Sequence, residues 1–107
     1  MIEIRQTEEY ARWFDRLRDR QARFRILARI RRLSLGNMSD VRSVGDGVSE
    51  LRIDCGPGYR VYFVRRGAML IVLLAGGNKS SQEHDTERAK QLARNLQEVP
   101  NGQDQDS

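Results

Sequence analysis

The sequence has little cysteine, lysine or histidine, and it has no long apolar run. Because Cys55 stands alone, no intrachain disulfide and no cysteine-based metal site can form, as expected in a reducing cytosol. The longest apolar run, residues 68–75, is the length of a buried strand and far short of the ~20 residues that a membrane helix needs. The N-terminus lacks a signal-peptide core. We therefore expect a cytoplasmic protein that does not bind membranes.

Positive charge is carried almost wholly by arginine, since only Lys79 and Lys90 are lysines. The net charge is +4, and residues 1–35 hold ten arginines against five acids. A guanidinium group binds phosphate bidentately and stacks on bases. This pattern favours a polyanionic partner such as nucleic acid, although a GC-rich genome that favours arginine codons explains it equally well.

Hydrophobic periodicity predicts an α+β domain with the order β-α-α-β-β-β-α, a mainly antiparallel sheet and helices packed on one face. Thr7 and Asp19 have the character of N-caps for two helices, the first ending near Arg18 and the second near Gly36. The remaining elements are predicted strands at residues 2–5, 50–54, 59–64 and 69–75, a polar exit at residues 76–81, and a last helix at residues 85–96. Residues 1–98 form one predicted domain, and residues 99–107 have the composition of a disordered tail.

Strand alternation separates two faces of the predicted sheet. If Leu51, Ile53, Val61 and Phe63 face the helices, then the residues on the opposite face are Glu50, Arg52, Asp54, Arg60 and Tyr62. Lys79, which follows the next strand, is expected at the rim. Such a surface suits RNA, because the cations of Arg52, Arg60 and Lys79 neutralise phosphates and Tyr62 can stack on a base.

RNA cleavage requires that the 2′-hydroxyl lose a proton, that the leaving 5′-oxygen gain one, and that the charged phosphate be stabilised. Arginine suits the last task because its charge is permanent. The candidates for proton transfer are Glu50, Asp54, Tyr62 and Lys79, since the single histidine, His84, lies outside the predicted sheet. A different interpretation, favoured by spacing alone, is that these charges form cross-strand ion pairs worth up to ~1 kcal/mol each.

Three separated segments carry a family resemblance: GVSELRID at residues 47–54, GPGYRVYF at residues 56–63 and LLAGGNKSSQ at residues 73–82. They closely resemble the phage-derived addiction module killer proteins, a HigB-like branch of the RelE/ParE toxin superfamily. The resemblance covers nearly the whole ordered chain and rests most on residues 49–52, 58–60 and 79–82.

The resemblance implies the toxin of a type II toxin–antitoxin system, encoded beside an antitoxin of the helix-turn-helix type. It implies an mRNA endonuclease that acts on the ribosome and inhibits translation, with Arg52, Arg60 and Lys79 at family motif positions and Tyr62 as a weaker assignment. We expect no cofactor and no metal, because the sequence offers no ligand cluster. The antitoxin is expected on the open basic face or against the arginine-rich helices, through acidic or amphipathic helical segments.

Two other functions agree with the same fold. One is a ParE-like inhibitor that binds DNA gyrase and cleaves nothing. The other is a non-catalytic module that binds a partner or regulates its own operon. The polar surface formed by Arg60, Tyr62 and Lys79 favours RNA over gyrase.

Overall fold

The structure of the chain is a computed structural model that describes residues 1–98. The predicted disordered tail, residues 99–107, lies outside the described residues. The elements in chain order are β1 (Glu3–Gln6), α1 (Glu8–Arg16), α2 (Arg20–Ser34), β2 (Val41–Gly45), β3 (Val48–Ile53), β4 (Tyr59–Arg66), β5 (Leu70–Asn78), a 3-10 turn (Lys79–Ser81) and α3 (Gln82–Glu98). This α+β architecture confirms the predicted fold class.

The five strands form one sheet in the order β1-β5-β4-β3-β2. β1 runs parallel to β5, and every other neighbouring pair is antiparallel. The sheet is therefore mainly antiparallel, as predicted. It contains one strand more than predicted, because β2 forms a hairpin with β3 through Asp46 and Gly47, which both have positive φ.

Both predicted helix caps are present. The Thr7 hydroxyl accepts a hydrogen bond from the Tyr10 backbone at 3.0 Å, and the Asp19 carboxylate accepts two from the first turn of α2. These oxygens satisfy backbone donors that have no partner inside the helix. Within residues 1–98, no helix is long and apolar enough to cross a bilayer.

The sheet is covered on both faces, so the prediction that all helices pack on one face is wrong. One core, on the side of α1 and α2, is built by Tyr10, Ile26, Ile30, Leu33, Leu51, Ile53, Val61, Phe63, Ile71 and Leu73 with Ile2. A second core contains Ala89 and Ala93 of α3 with Val48, Tyr62, Val64 and Leu74. The reason is that β4 is apolar on both sides from Val61 to Val64, so its second side also needs a helix.

β5 extends to Asn78, so the predicted polar exit at residues 76–81 is wrong over its first three residues. Gly76 pairs with Val61, and Gly77 pairs with Arg60. A Cβ atom on Gly76 would collide with the Trp13 ring of α1, and one on Gly77 would collide with the Asp85 carboxylate of α3. These two glycines keep a strand conformation and allow both helices to approach the sheet backbone closely.

Candidate functional site

Two arginines lie directly opposite each other on neighbouring strands. Arg52 of β3 is in register with Arg60 of β4, and their side chains project from the sheet face opposite α1 and α2. Like charges directly opposite each other are unfavourable in a sheet. Packing against the rest of the fold does not require this arrangement, because Arg52 is exposed. An anion bound between the two guanidinium groups would relieve the repulsion.

Arg60 is held by a buried carboxylate. Glu50 is fully buried, and its Oε2 lies 3.6 Å from Nε of Arg60, whose side chain is 8% exposed. Arg42 of β2 approaches the other Glu50 oxygen at 3.4 Å, and the Gln82 side chain of α3 donates a hydrogen bond to Oε2 at 3.1 Å. A carboxylate without such partners would be costly to bury. Side chains from three other elements, β2, β4 and α3, therefore surround Glu50, and Glu50 in turn lies against Arg60.

The turn at residues 56–58 accepts hydrogen bonds from both Arg60 and Lys79. Nη1 of Arg60 donates to the Gly58 carbonyl at 3.1 Å, and the Lys79 backbone N–H donates to Pro57 at 3.4 Å. Lys79 begins the 3-10 turn that Asn78 caps, since the Asn78 side chain accepts hydrogen bonds from the backbone N–H groups of Ser80 and Ser81. The lysine thus leaves the sheet at a defined place beside Arg60.

These side chains border a cleft of about 410 Å³. Its lining consists of Asp40, Arg52, Ile53, Asp54, Gly58, Tyr59, Arg60 and Lys79. Three cations face two acids here, so the cleft carries a net positive charge that favours an anionic ligand. The structure brings together three of the four predicted site residues: Arg52, Arg60 and Lys79.

Tyr62, the fourth predicted site residue, does not reach this cleft. The prediction that it lies on an open surface is wrong, because α3 covers it and leaves it fully buried. Its hydroxyl has no hydrogen-bond partner among the described residues. Burial raises the pKa of Tyr62 from 10.0 to about 12. Glu50, a candidate for proton transfer, is equally inaccessible beneath α3, whereas Asp54 and Lys79 are exposed.

The aromatic residue that lines the cleft is Tyr59. Tyr59 stands at the beginning of β4, where it is partly buried, packs against the core on the side of α1 and α2, and lines the cleft. Its ring meets the edge of Trp13 at 6.4 Å between centroids. Burial, and then the charges of Asp19 and Cys55, raise the pKa of Tyr59.

Sequence reasoning missed the roles of Arg42, Gln82 and Asp40. Arg42 belongs to the strand that was not predicted, and Gln82 begins α3 three residues earlier than expected. Asp40 has positive φ and pairs with Arg29 at 3.1 Å. Only the alternation that begins at Val41 indicated β2, and no local pattern indicated that Arg42 reaches Glu50.

His84 is exposed in the first turn of α3 and borders a different cleft, of about 350 Å³, with Trp13 and Arg88. It is not beside Arg60. Among residues 1–98, no group of three or more His, Cys, Asp or Glu side chains is arranged to hold a metal ion.

The interpretation as cross-strand ion pairs holds for only some of the charged residues on β3 and β4. Glu50 does pair with Arg60, diagonally across β3 and β4. Arg52 and Asp54 form no ion pair within the part of the chain that the structure describes. Their charges are therefore available to a ligand.

The protein is a small, basic α+β domain with a cationic cleft on its sheet. This architecture is compatible with the RelE-like fold. The chain belongs to the family described as "Phage derived protein Gp49-like (DUF891)", which it matches over residues 12–98. Membership of this toxin-like family is consistent with a toxin of a toxin–antitoxin pair and with a cognate antitoxin as partner.

A protein of Haemophilus influenzae is similar to this chain over almost its whole length. The two are 46% identical over 95 residues, which cover 89% of this chain and 96% of the relative. The relative is described only as an uncharacterized protein. The similarity therefore adds no activity.

Proposed function

We propose that the protein is an mRNA endonuclease toxin of the HigB-like type, which cleaves mRNA on the ribosome and thereby inhibits translation and growth. The observation that carries this proposal is the convergence of Arg52, Arg60 and Lys79 on one cleft, with the two arginines directly opposed. No catalytic metal is part of the proposal.

The proposed role of Arg60 is to stabilise the charge that develops on the scissile phosphate. One of its five N–H donors is bonded to Gly58, and its Nε lies 3.6 Å from the Glu50 carboxylate. A donor that is already oriented costs no reorganisation when the pentacoordinate phosphate forms. Arg52 and Lys79, both exposed at the rim, would bind the scissile phosphate and its neighbours.

Proton transfer falls to Asp54 or Lys79 in this proposal, because both border the cleft, whereas Glu50 and Tyr62 are sealed beneath α3. Asp54 would accept the 2′-hydroxyl proton, and Lys79 would donate to the leaving 5′-oxygen. Tyr59 takes the stacking role first assigned to Tyr62, since Tyr59 lines the cleft and Tyr62 does not. The ribosome would position the mRNA and so supply the entropic part of the rate enhancement.

The test is to induce the protein without its antitoxin and to map new transcript 5′ ends. We expect growth arrest and cuts in translated mRNA, both reduced by more than about tenfold in Arg52→Gln and in Arg60→Lys. Arg65→Gln is the matched control, because Arg65 is an exposed arginine at the opposite end of β4. Unchanged cleavage in Arg52→Gln and Arg60→Lys would show that this cleft is not the site.

Other outcomes identify the competing functions. Growth arrest with a DNA-damage response and intact transcripts would indicate gyrase poisoning. Harmless overproduction of folded protein would indicate a non-catalytic module. Either result contradicts the proposed endonuclease.

A further inference from the structure

α2 has two apolar sides, and only one of them is packed. Its buried side, with Ala22, Ile26, Ile30 and Leu33, faces the sheet. On the other side, Phe24 is 74% exposed, Leu27 is 54% exposed and Leu35 at the C-cap is 60% exposed. Large apolar side chains exposed at helical spacing suggest an interaction surface more than a solvated one.

Helical geometry groups these side chains with two arginines. Positions i+3, i+7 and i+11 from Phe24 are Leu27, Arg31 and Leu35, which share one face with it, and Arg20 lies one turn before Phe24. We call the surface formed by Arg20, Phe24, Leu27, Arg31 and Leu35 the outer face of α2. From Phe24 to Leu35 it is about 16 Å long at 1.5 Å per residue, enough for roughly three turns of a second helix.

The charged residues within α2 are all arginines. α2 contains no acidic residue. Arg29 is used inside the fold through Asp40, and Arg23 covers the Phe14 ring and donates to the carbonyl of Leu17. In contrast, Arg20, Arg25, Arg31 and Arg32 form no ion pair within residues 1–98. Four unpaired guanidinium groups therefore surround an apolar stripe.

We infer that the outer face of α2 binds a partner protein through an acidic amphipathic helix. Apolar side chains on such a helix would cover Phe24, Leu27 and Leu35, while its flanking carboxylates would meet Arg20 and Arg31. Nucleic acid would use the arginines but leave the aliphatic side chains exposed. A second copy of this chain would bring arginine against arginine.

This surface lies on the opposite side of the sheet from the side chains of Arg52 and Arg60. The partner would therefore bind without filling the cleft. The inference does not depend on RNA cleavage, because it concerns other residues and another ligand.

The experiment uses the whole chain and a labelled synthetic peptide of three helical turns with leucines at positions i, i+3 and i+7 and glutamates elsewhere. A peptide of the same composition without helical periodicity is the control. We expect the amphipathic peptide to bind at least about tenfold more tightly than its control in fluorescence anisotropy, a difference of about 1.4 kcal/mol.

Variants locate the surface. We expect the double variant Phe24→Ser and Leu27→Ser, the serine pair, to weaken peptide binding by about tenfold or more. Its urea unfolding should be unchanged, because both side chains are exposed. We expect the double variant Arg20→Gln and Arg31→Gln to lower the affinity for the peptide and to make that affinity less dependent on salt concentration. The pair Arg65→Gln with Arg94→Gln removes the same charge elsewhere and should have a smaller effect.

Three results would overturn the inference. The first is equal binding of both peptides, or unchanged binding in Phe24→Ser with Leu27→Ser. The second is a large loss of RNA binding in Arg20→Gln with Arg31→Gln, with no effect of the serine pair on the peptide, which would assign the face to nucleic acid. The third is a dimer that the serine pair dissociates, which would assign the face to a second copy. All these measurements can be interpreted in the same way if the protein does not cleave RNA.

Discussion

Glu50 lies fully buried against Arg60, with 3.6 Å between Glu50 Oε2 and Arg60 Nε. The carboxylate does not open to the cleft, whereas the arginine borders it. Glu50 is thus a positioning residue for Arg60, and its charge has a structural role within the sheet. This distinction separates the effects of its removal from those of the cleft cations.

Glu50→Gln should lower the free energy of unfolding by ~3 kcal/mol, because it leaves Arg60 nearly buried without a counter-charge. Urea denaturation of the purified protein measures this difference. Glu3→Gln is the control, since the Glu3 pair with Arg5 is exposed on both sides and should contribute under ~1 kcal/mol. Similar small losses in both variants would refute the positioning role.

Tyr62→Phe should keep or raise the stability, because it removes a buried hydroxyl that has no hydrogen-bond partner among the described residues. Tyr62→Ala should lose ~3–5 kcal/mol, since it empties the core beneath α3. Urea unfolding distinguishes the two. If Tyr62→Phe abolished RNA cleavage in folded protein, Tyr62 would have to act in the reaction despite its burial.

Alkaline pH should destabilise the protein through Tyr62. The folded state retains the Tyr62 proton up to a pKa of about 12, whereas the unfolded chain releases it near the ordinary pKa of 10.0. The contribution to stability is therefore complete below pH 10 and is lost as the pH rises towards 12. Urea midpoints between these pH values should fall less steeply in Tyr62→Phe than in the unmodified chain.

Acidic pH should weaken the ion pair that connects Glu9 of α1 to Arg88 of α3. Arg88 hydrogen-bonds Glu9 at 2.7 Å and holds the pKa of Glu9 below its usual 4.5. This contribution is present above the ordinary pKa and is lost as the pH falls through the lowered one. Arg88→Gln should therefore be less stable than the unmodified chain at neutral pH, and the difference should shrink in acid.

Arg12→Gln is the matched control for Arg88→Gln, because Arg12 pairs with Glu8 within one exposed turn of α1. Its effect on thermal unfolding should be small at every pH. A difference for Arg88→Gln that persists unchanged in acid would show that the ion pair with Glu9 is not its cause.

Lys79→Met should weaken the binding of short single-stranded RNA and reduce the slope of log affinity against log salt by ~1. Lys90→Met removes the same charge from α3, away from the cleft lining, and should leave the slope nearly unchanged. Fluorescence anisotropy at several salt concentrations gives both slopes. Equal slopes for the two variants would contradict the phosphate contact assigned to Lys79.

Local signals predicted much of the fold. Thr7 and Asp19 cap the helices as their sequence context indicates, because capping depends on neighbours only a few residues away. Alternation placed Arg52 and Arg60 on one face, and the register adds that they lie directly opposite each other. These features follow from short stretches of chain, so the sequence alone could indicate them.

The position of α3 could not be read in the same way. The stripe formed by Ala89, Leu92, Ala93 and Leu96 predicts a helix with one apolar side, but it does not say which face of the sheet that side covers. The apolar run in β4 held the missing information, because a strand apolar on both sides requires cover on both. Without it, Tyr62 was predicted as a surface residue.

The glycine pair near the end of β5 has a consequence for how the protein tolerates change. At Gly76 and Gly77 the sheet is only as thick as its backbone, with Trp13 against one side and Asp85 against the other. A methyl group at the first position would displace the Trp13 ring, and one at the second would displace the Asp85 carboxylate, which accepts a hydrogen bond from Ser81. In a complete substitution scan of β5, the least replaceable positions should therefore be the two that carry no side chain.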